Sequence, residues 1–170
     1  MAVHRTYMSA IATVLASGAL VATAAAQTSH EDWPKIQTRP YINEADRDAS
    51  FTGTEKNDEL LGGHGRDKLY GLGGHDVIWG DYKPTGNTAH QRDRLYGGRG
   101  NDWIYGSHGR SVVFGGPGKD TIRIWFGRGY VHCGPGKDIL YLSRKSDPKV
   151  KRKNCEKISH KSARQVADED

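Results

Sequence analysis

The nonapeptide Gly97-Gly98-Arg99-Gly100-Asn101-Asp102-Trp103-Ile104-Tyr105 follows a plan that recurs about every nine residues through the middle of the chain. A glycine-rich segment leads to an aspartate, and an aliphatic side chain follows two positions later. Seven of the nine units carry the aspartate, and the other two have Ser111 and Gly129 in its place: Asp58, Asp67, Asp76, Asp93, Asp102, Asp120 and Asp138. The aliphatic residue is present in all nine: Leu60, Leu69, Ile78, Leu95, Ile104, Val113, Ile122, Val131 and Leu140. A fixed period this short predicts a solenoid.

Each unit divides into a six-residue turn and a three-residue strand. In Gly115-Gly116-Pro117-Gly118-Lys119-Asp120 the glycines permit backbone angles that other residues rarely adopt. The strand that follows, Thr121-Ile122-Arg123, has its middle residue pointing inward. Strands of three residues are not stable alone, so the units must stack and bury their aliphatic column. The sequence therefore predicts an all-β fold with a thin core.

The two ends of the chain differ from the repeat region. Residues 1–26 resemble a secretory signal peptide, with an apolar stretch from Met8 to Val21 and a cleavage motif at Ala24-Ala25-Ala26. A membrane anchor is the alternative, but the stretch is short for a bilayer span. We expect an N-terminal leader at 27–52, the repeat domain at 53–142, and a basic C-terminal cap and tail at 143–170. The expected mature protein is secreted and extracellular.

Two cysteines, Cys133 and Cys155, lie at the end of the repeats and beyond them. In an exported chain one disulfide is the default, and two free thiols are the alternative. Two distant cysteines supply too few ligands for zinc. The bridge is expected to tie the C-terminal segment onto the final coil, where Val150 and Ile158 are available to cover the Leu140 layer.

The tandem turns resemble the repeats-in-toxin, or hemolysin-type, calcium-binding family over residues 53–142. The motif is closest around Asp67, Asp102 and Asp120 and good around Asp76 and Asp138. The resemblance implies a parallel β-roll with two nonapeptides per coil. It also implies Ca²⁺ between the turns of successive coils, held by the repeat aspartates and by turn carbonyls. Calcium is a hard cation that takes six to eight oxygen ligands, so this donor set suits it.

Two nonapeptides per coil place alternate repeats on the same edge of the roll. The odd edge consists of Asp58, Asp76, Asp102, Asp120 and Asp138, and the even edge of Asp67, Asp93, Ser111 and Gly129. Eight extra residues around Lys83–Asn87 interrupt the even edge. We therefore expect calcium chiefly along the odd edge, with Asp58 in the weakest motif. The alternative is that some aspartates only cap turns.

No catalytic motif accompanies the repeats, so the predicted function is non-enzymatic calcium binding with calcium-dependent folding or stability. The alternative is an extracellular surface-binding module. It would use outward aromatics such as Trp79, Trp103, Tyr105 and Tyr141, together with the basic C-terminal region. Expected partners are calcium ions and, in the alternative, cell-surface or anionic polymers. No nucleic-acid motif and no membrane span are expected.

Overall fold

The computed structural model describes residues 33–44, 47–83, 85–86 and 90–160. The predicted signal peptide, the first part of the leader and the last ten residues lie outside these ranges. Within them the chain forms thirteen β-strands and one short 3₁₀ helix, Asp147–Lys149. Every strand pair is parallel, so the predicted all-β parallel β-roll is confirmed.

The strands alternate between two sheets as the chain winds. The seven-stranded sheet contains β1 Tyr41–Ile42, β3 Glu59–Leu61, β5 Val77–Trp79, β7 Trp103–Tyr105, β9 Thr121–Ile124, β11 Ile139–Leu142 and β13 Lys157–Ser159. The six-stranded sheet contains β2 Ser50–Thr52, β4 Lys68–Gly73, β6 Arg92–Arg99, β8 Arg110–Phe114, β10 Arg128–His132 and β12 Val150–Lys153. Each coil contributes one strand to each sheet.

The core is the predicted aliphatic column, one residue from each of β3 to β11. All nine side chains are at most 1% exposed. Neighbouring members of a sheet face each other in register, as Leu60 faces Ile78 and Leu69 faces Leu95. Because strands of successive coils pair in register, the turns that follow them also stack.

The turns stack so closely that some positions have no room for a side chain. Gly100 has φ +127°, and a Cβ at that position would lie 1.6 Å from the carbonyl oxygen of Gly74 in the preceding coil. Both the left-handed backbone and the contact exclude other residues. Glycine is therefore required here to bring successive turns, and the aspartates they carry, into one column.

The solenoid continues beyond the nine predicted repeats at both ends. Strands β1 and β2 precede them and β12 and β13 follow, which gives about six coils. The predicted disulfide between Cys133 and Cys155 is present, with Cα atoms 5.1 Å apart. Val150 is 6% exposed and packs in the core, whereas Ile158 pairs with Leu140 at the open end and stays 36% exposed. The domain division at residues 52/53 and 142/143 stays a prediction.

Candidate metal centre

The odd edge is a continuous column of hydrogen-bonded carboxylates. The Oδ1 atom of each aspartate accepts the backbone N–H of the aspartate one coil earlier, from Asp76 through Asp138, at 2.8–3.0 Å. The backbone N–H of Asp138 in turn donates to Oε2 of Glu156 at 2.9 Å. All five aspartates are fully buried. The turn geometry therefore stacks acidic side chains one coil apart.

The second carboxylate oxygen of most column members has no hydrogen-bond partner. This holds for Oδ2 of Asp76, Asp102, Asp120 and Asp138, each buried within the described part of the chain. Asp58 differs, because its Oδ2 accepts the Thr54 N–H at 2.6 Å and the Thr54 hydroxyl at 3.0 Å. Asp58 thus caps its own turn, and the other four present a free acceptor.

The free oxygens of Asp76, Asp102 and Asp120 each lie near a backbone carbonyl of the next coil. A Cβ placed on Gly97 would lie 2.4 Å from Oδ2 of Asp102 and 2.4 Å from the carbonyl oxygen of Gly115. A Cβ on Gly71 would meet Asp76 Oδ2 and the Gly97 carbonyl at 2.2 and 2.3 Å. In these three turns the first glycine therefore leaves space beside two oxygens from adjacent coils.

Burial disfavours the ionised form of these carboxylates and so raises their pKa values. Desolvation raises the pKa of Asp76 and of Asp120 to about 8, although hydrogen bonds from the backbone N–H groups of Asp58 and Asp102 act against it. Repulsion by neighbouring column members adds to the increase. Desolvation likewise raises the pKa of Asp102 to about 6 and that of Asp138 to above its ordinary value. A divalent cation beside Oδ2 would favour the ionised form.

The two even-edge aspartates accept backbone hydrogen bonds in the same way as those on the odd edge. Oδ1 of Asp67 accepts the Ala49 N–H at 2.8 Å, and Oδ1 of Asp93 accepts the Asp67 N–H at 2.9 Å. Their Oδ2 atoms are buried without partners. Desolvation raises the pKa of both to about 7. The even edge begins to differ at Asp93, where a Cβ on Gly80 would meet Asp93 Oδ2 at 2.8 Å and the Ser107 backbone nitrogen, not a carbonyl oxygen, at 3.3 Å. At Ser111 the hydroxyl accepts the Ser107 N–H at 2.8 Å and closes the turn.

The donor set fits calcium better than metals that prefer nitrogen or sulfur. Among residues 33–44, 47–83, 85–86 and 90–160, no three His, Cys, Asp or Glu side chains converge as a metal-binding group. One carboxylate per turn stands beside carbonyl oxygens instead. Hard cations with many oxygen ligands, several of them from the backbone, suit such a site.

Two acidic residues of these edges were missed by sequence reasoning. Glu156 continues the odd column because it lies 18 residues after Asp138, one full coil, although no glycine motif precedes it. Asp81 directly follows Gly80, the first glycine of the interrupted even-edge turn. Its Oδ2 accepts the His108 N–H at 2.7 Å, and its Oδ1 is buried without a partner. Counting by coil length would have found Glu156, but only the structure reveals the contact of Asp81.

The outward aromatics of the seven-stranded sheet pack against the protein itself. Trp33 in the leader packs edge-on against Trp79 and donates its indole N–H to the Tyr105 hydroxyl at 3.0 Å. The Arg123 guanidinium lies 5.0–5.5 Å from the ring centroids of Trp103, Tyr105 and Tyr141. In the described ranges no helix is long and apolar enough to cross a membrane.

The repeat sequence matches a known family of calcium-binding repeats. Residues 52–81 and 91–122 match the model of the RTX calcium-binding nonapeptide repeat in four copies. The matched segments contain six of the seven repeat aspartates, with Asp138 beyond them. No curated protein and no solved structure gives a significant match.

Proposed function

Because its repeats belong to the RTX calcium-binding nonapeptide family, we propose that this chain is a secreted, non-enzymatic protein whose β-roll is stabilised by bound calcium. Repeats of this family bind Ca²⁺. The observation that carries the proposal is the row of buried Oδ2 atoms without partners at Asp76, Asp102, Asp120 and Asp138. Leaving buried acceptors unpaired is costly, and a cation between coils removes that cost.

In this proposal the calcium ligands are the odd-edge aspartates together with carbonyl oxygens of the adjacent turns. Asp67 on the even edge is a further ligand, since a Cβ on Gly62 would meet its Oδ2 and the Gly80 carbonyl oxygen at 2.6 and 2.5 Å. Asp93 contributes its unpaired Oδ2 as well, but the Ser107 backbone nitrogen lies where the other sites have a carbonyl oxygen. Asp58 contributes least, because Thr54 already uses its Oδ2. The ion supplies positive charge between stacked carboxylates, so binding is coupled to stability.

The test compares thermal melts of the wild type and Asp120→Asn in calcium and in chelator, with calcium binding measured by titration calorimetry. Calcium should raise the Tm of the wild type, because each occupied site adds about 2.7 kcal/mol at a hundredfold excess over Kd. Asp120→Asn keeps an oxygen to accept the Asp102 N–H but removes a buried charge. At pH 8.5 it should therefore melt higher than the wild type in chelator and gain less from calcium.

Glu55→Gln is the matched control, since it removes a carboxylate that is exposed and paired with Arg99 at the surface. We expect this variant to follow the wild type in both conditions. Identical wild-type melts in calcium and chelator would refute calcium-dependent stability.

Secretion has separate support in the disulfide, because such bridges persist in oxidising compartments. The signal-like residues 1–26 lie outside the described ranges. Mass spectrometry of protein recovered from the culture medium tests this part. Secretion predicts a mature chain that begins at Gln27 and contains no free thiol. A full-length chain retained in the cell would contradict it.

The surface-binding alternative receives no support from the aromatic face of the seven-stranded sheet. Trp33 and Arg123 already contact its rings. A glycan array with calcium and with chelator would reveal binding through this face.

A further inference from the structure

The outer surface of the six-stranded sheet carries a row of cations beside the even edge, here called the basic ladder: Arg66, Lys68, Arg92, Arg94, Arg110 and Arg128. All six side chains are exposed. A groove of about 570 Å³ runs along five of them, from Arg66 to Arg110. The acids that line it are Asp48, which accepts the Arg66 backbone N–H at 3.0 Å, and Asp93, which is 1% exposed.

Parallel pairing holds these cations directly against one another. Arg110 is in register with Arg92 on one side and with Arg128 on the other. Lys68 is likewise in register with Arg94. Like charges directly opposite each other on adjacent strands destabilise a sheet. Within the described part of the chain, no hydrogen-bond or ion-pair partner relieves the charge of these six side chains.

We propose that the basic ladder binds a linear acidic polysaccharide, with the carboxylates of its successive repeat units paired to guanidinium groups along the line of coils. Five of the six ladder cations are arginines, whose planar forks bind carboxylates in a bidentate manner. The coil repeat places Arg92, Arg110 and Arg128 in one line at a spacing of about 4.8 Å, with Lys68 and Arg94 in a second line beside it. An extended polymer with regularly spaced charges can contact several of these cations at once, whereas a small anion would contact only one or two.

Charge complementarity alone would also suit nucleic acid, but the neighbouring surface favours a polysaccharide. Tyr70, Tyr96 and Phe114 form a column beside the ladder, and their rings stack on one another at 4.7 and 5.2 Å. Their flat faces are therefore used internally and are not free to stack with unpaired bases. The described part of this sheet also presents no helix or two-stranded ribbon that could enter a DNA groove. Sugar hydroxyls can instead hydrogen-bond to the phenol groups of Tyr70 and Tyr96, which are half-buried.

The experiment measures binding of fluorescent hyaluronan fragments of one length to the full mature chain at saturating calcium. Neutral dextran fragments and single- and double-stranded DNA of equal charge are the comparison probes. The ladder variant is Arg92→Gln/Arg110→Gln/Arg128→Gln. The control Lys119→Gln/Lys137→Gln/Lys157→Gln removes the same charge from exposed positions on the opposite side of the roll.

We expect the ladder variant to bind hyaluronan at least tenfold more weakly than the wild type, and the control variant to stay within threefold. The salt dependence of binding should also become shallower in the ladder variant. Equal weakening in both variants would overturn the proposal, because net charge alone would then explain binding. Tighter binding to either DNA, or wild-type affinity in the ladder variant, would also overturn it. Arg110→Gln alone gives a milder test if the triple variant folds poorly, with at least a threefold loss expected.

Discussion

At the scale of single residues, each repeat aspartate uses its two carboxylate oxygens differently. In Asp102, Oδ1 accepts the N–H of Asp76 and so joins two coils, while Oδ2 has no partner. The first oxygen explains why aspartate is structurally useful in the turn, and the second is what a metal ion would use. The two interpretations of the sequence, turn capping and calcium binding, are therefore compatible within one side chain.

The first glycine of a turn should control calcium binding through space rather than backbone angle. In Gly97→Ala the new methyl group would lie 2.4 Å from Asp102 Oδ2 and from the Gly115 carbonyl. We expect titration calorimetry to find fewer bound calcium ions and weaker binding. Gly106→Ala is the matched control, because its methyl group would meet Ile124 Cδ1 and Ser111 Oγ and no carboxylate. Equal loss of calcium in both variants would show that the substitution acts through general destabilisation.

At the scale of elements, the sequence predicts β3 to β11 because each combines a glycine turn with an inward aliphatic residue. The four outer strands lack that turn signal, although Phe51, Val150 and Ile158 lie near the positions where the nine-residue period expects an aliphatic side chain. These strands form because they pair with the open sheet edges at the two ends of the repeats. No local sequence motif encodes that pairing. The aspartate columns could be predicted for the same reason as the strands, whereas Asp81 depends on the path of the inserted loop.

The disulfide should act mainly on the last coil. Cys133 is fully buried in the core. Its bridge to Cys155, at a sequence separation of 22, closes a loop that contains β11 and β12. In the chain-entropy model such a loop contributes about 3 kcal/mol. Cys133→Ser/Cys155→Ser should speed amide exchange around Ile139–Leu142 more than around Val77–Trp79, which lie several coils away. Hydrogen exchange read by mass spectrometry checks this, and unchanged protection at Ile139–Leu142 would contradict it.

At the scale of the whole molecule, the buried carboxylates should reverse the usual response to pH. Desolvation raises the pKa values of Asp67, Asp76, Asp93 and Asp120 to about 7–8, above the ordinary 3.8. The folded protein without metal therefore binds more protons than the unfolded chain between these values. Stability conferred in this way is complete below pH 4 and is lost as the pH rises through 7–8.

We accordingly expect the Tm measured in chelator to fall between pH 5 and pH 8.5. In saturating calcium the fall should become smaller or reverse, because calcium binds the ionised carboxylates. Two other acids do not contribute to this fall. Hydrogen bonds from His160 and Arg152 lower the pKa of Asp147, and the hydrogen bond from the Asp138 N–H lowers that of Glu156. Both therefore titrate below this pH range. Melting curves at several pH values test the expectation. A chelator Tm that rises with pH would exclude it.

The hydrogen bonds of the odd column all run in one direction along the chain. The backbone N–H of each aspartate is satisfied by a carboxylate that is synthesised 18 or 26 residues later, and the last donor requires Glu156. A polypeptide emerging from a ribosome or a translocation pore with its N-terminus first therefore always lacks the acceptor for its newest coil. The column can be completed only when residue 156 has emerged, and the Cys133–Cys155 bridge can close only after residue 155. Until residue 156 has emerged, the newest coil therefore lacks a hydrogen-bond acceptor, whereas the earlier coils already have theirs.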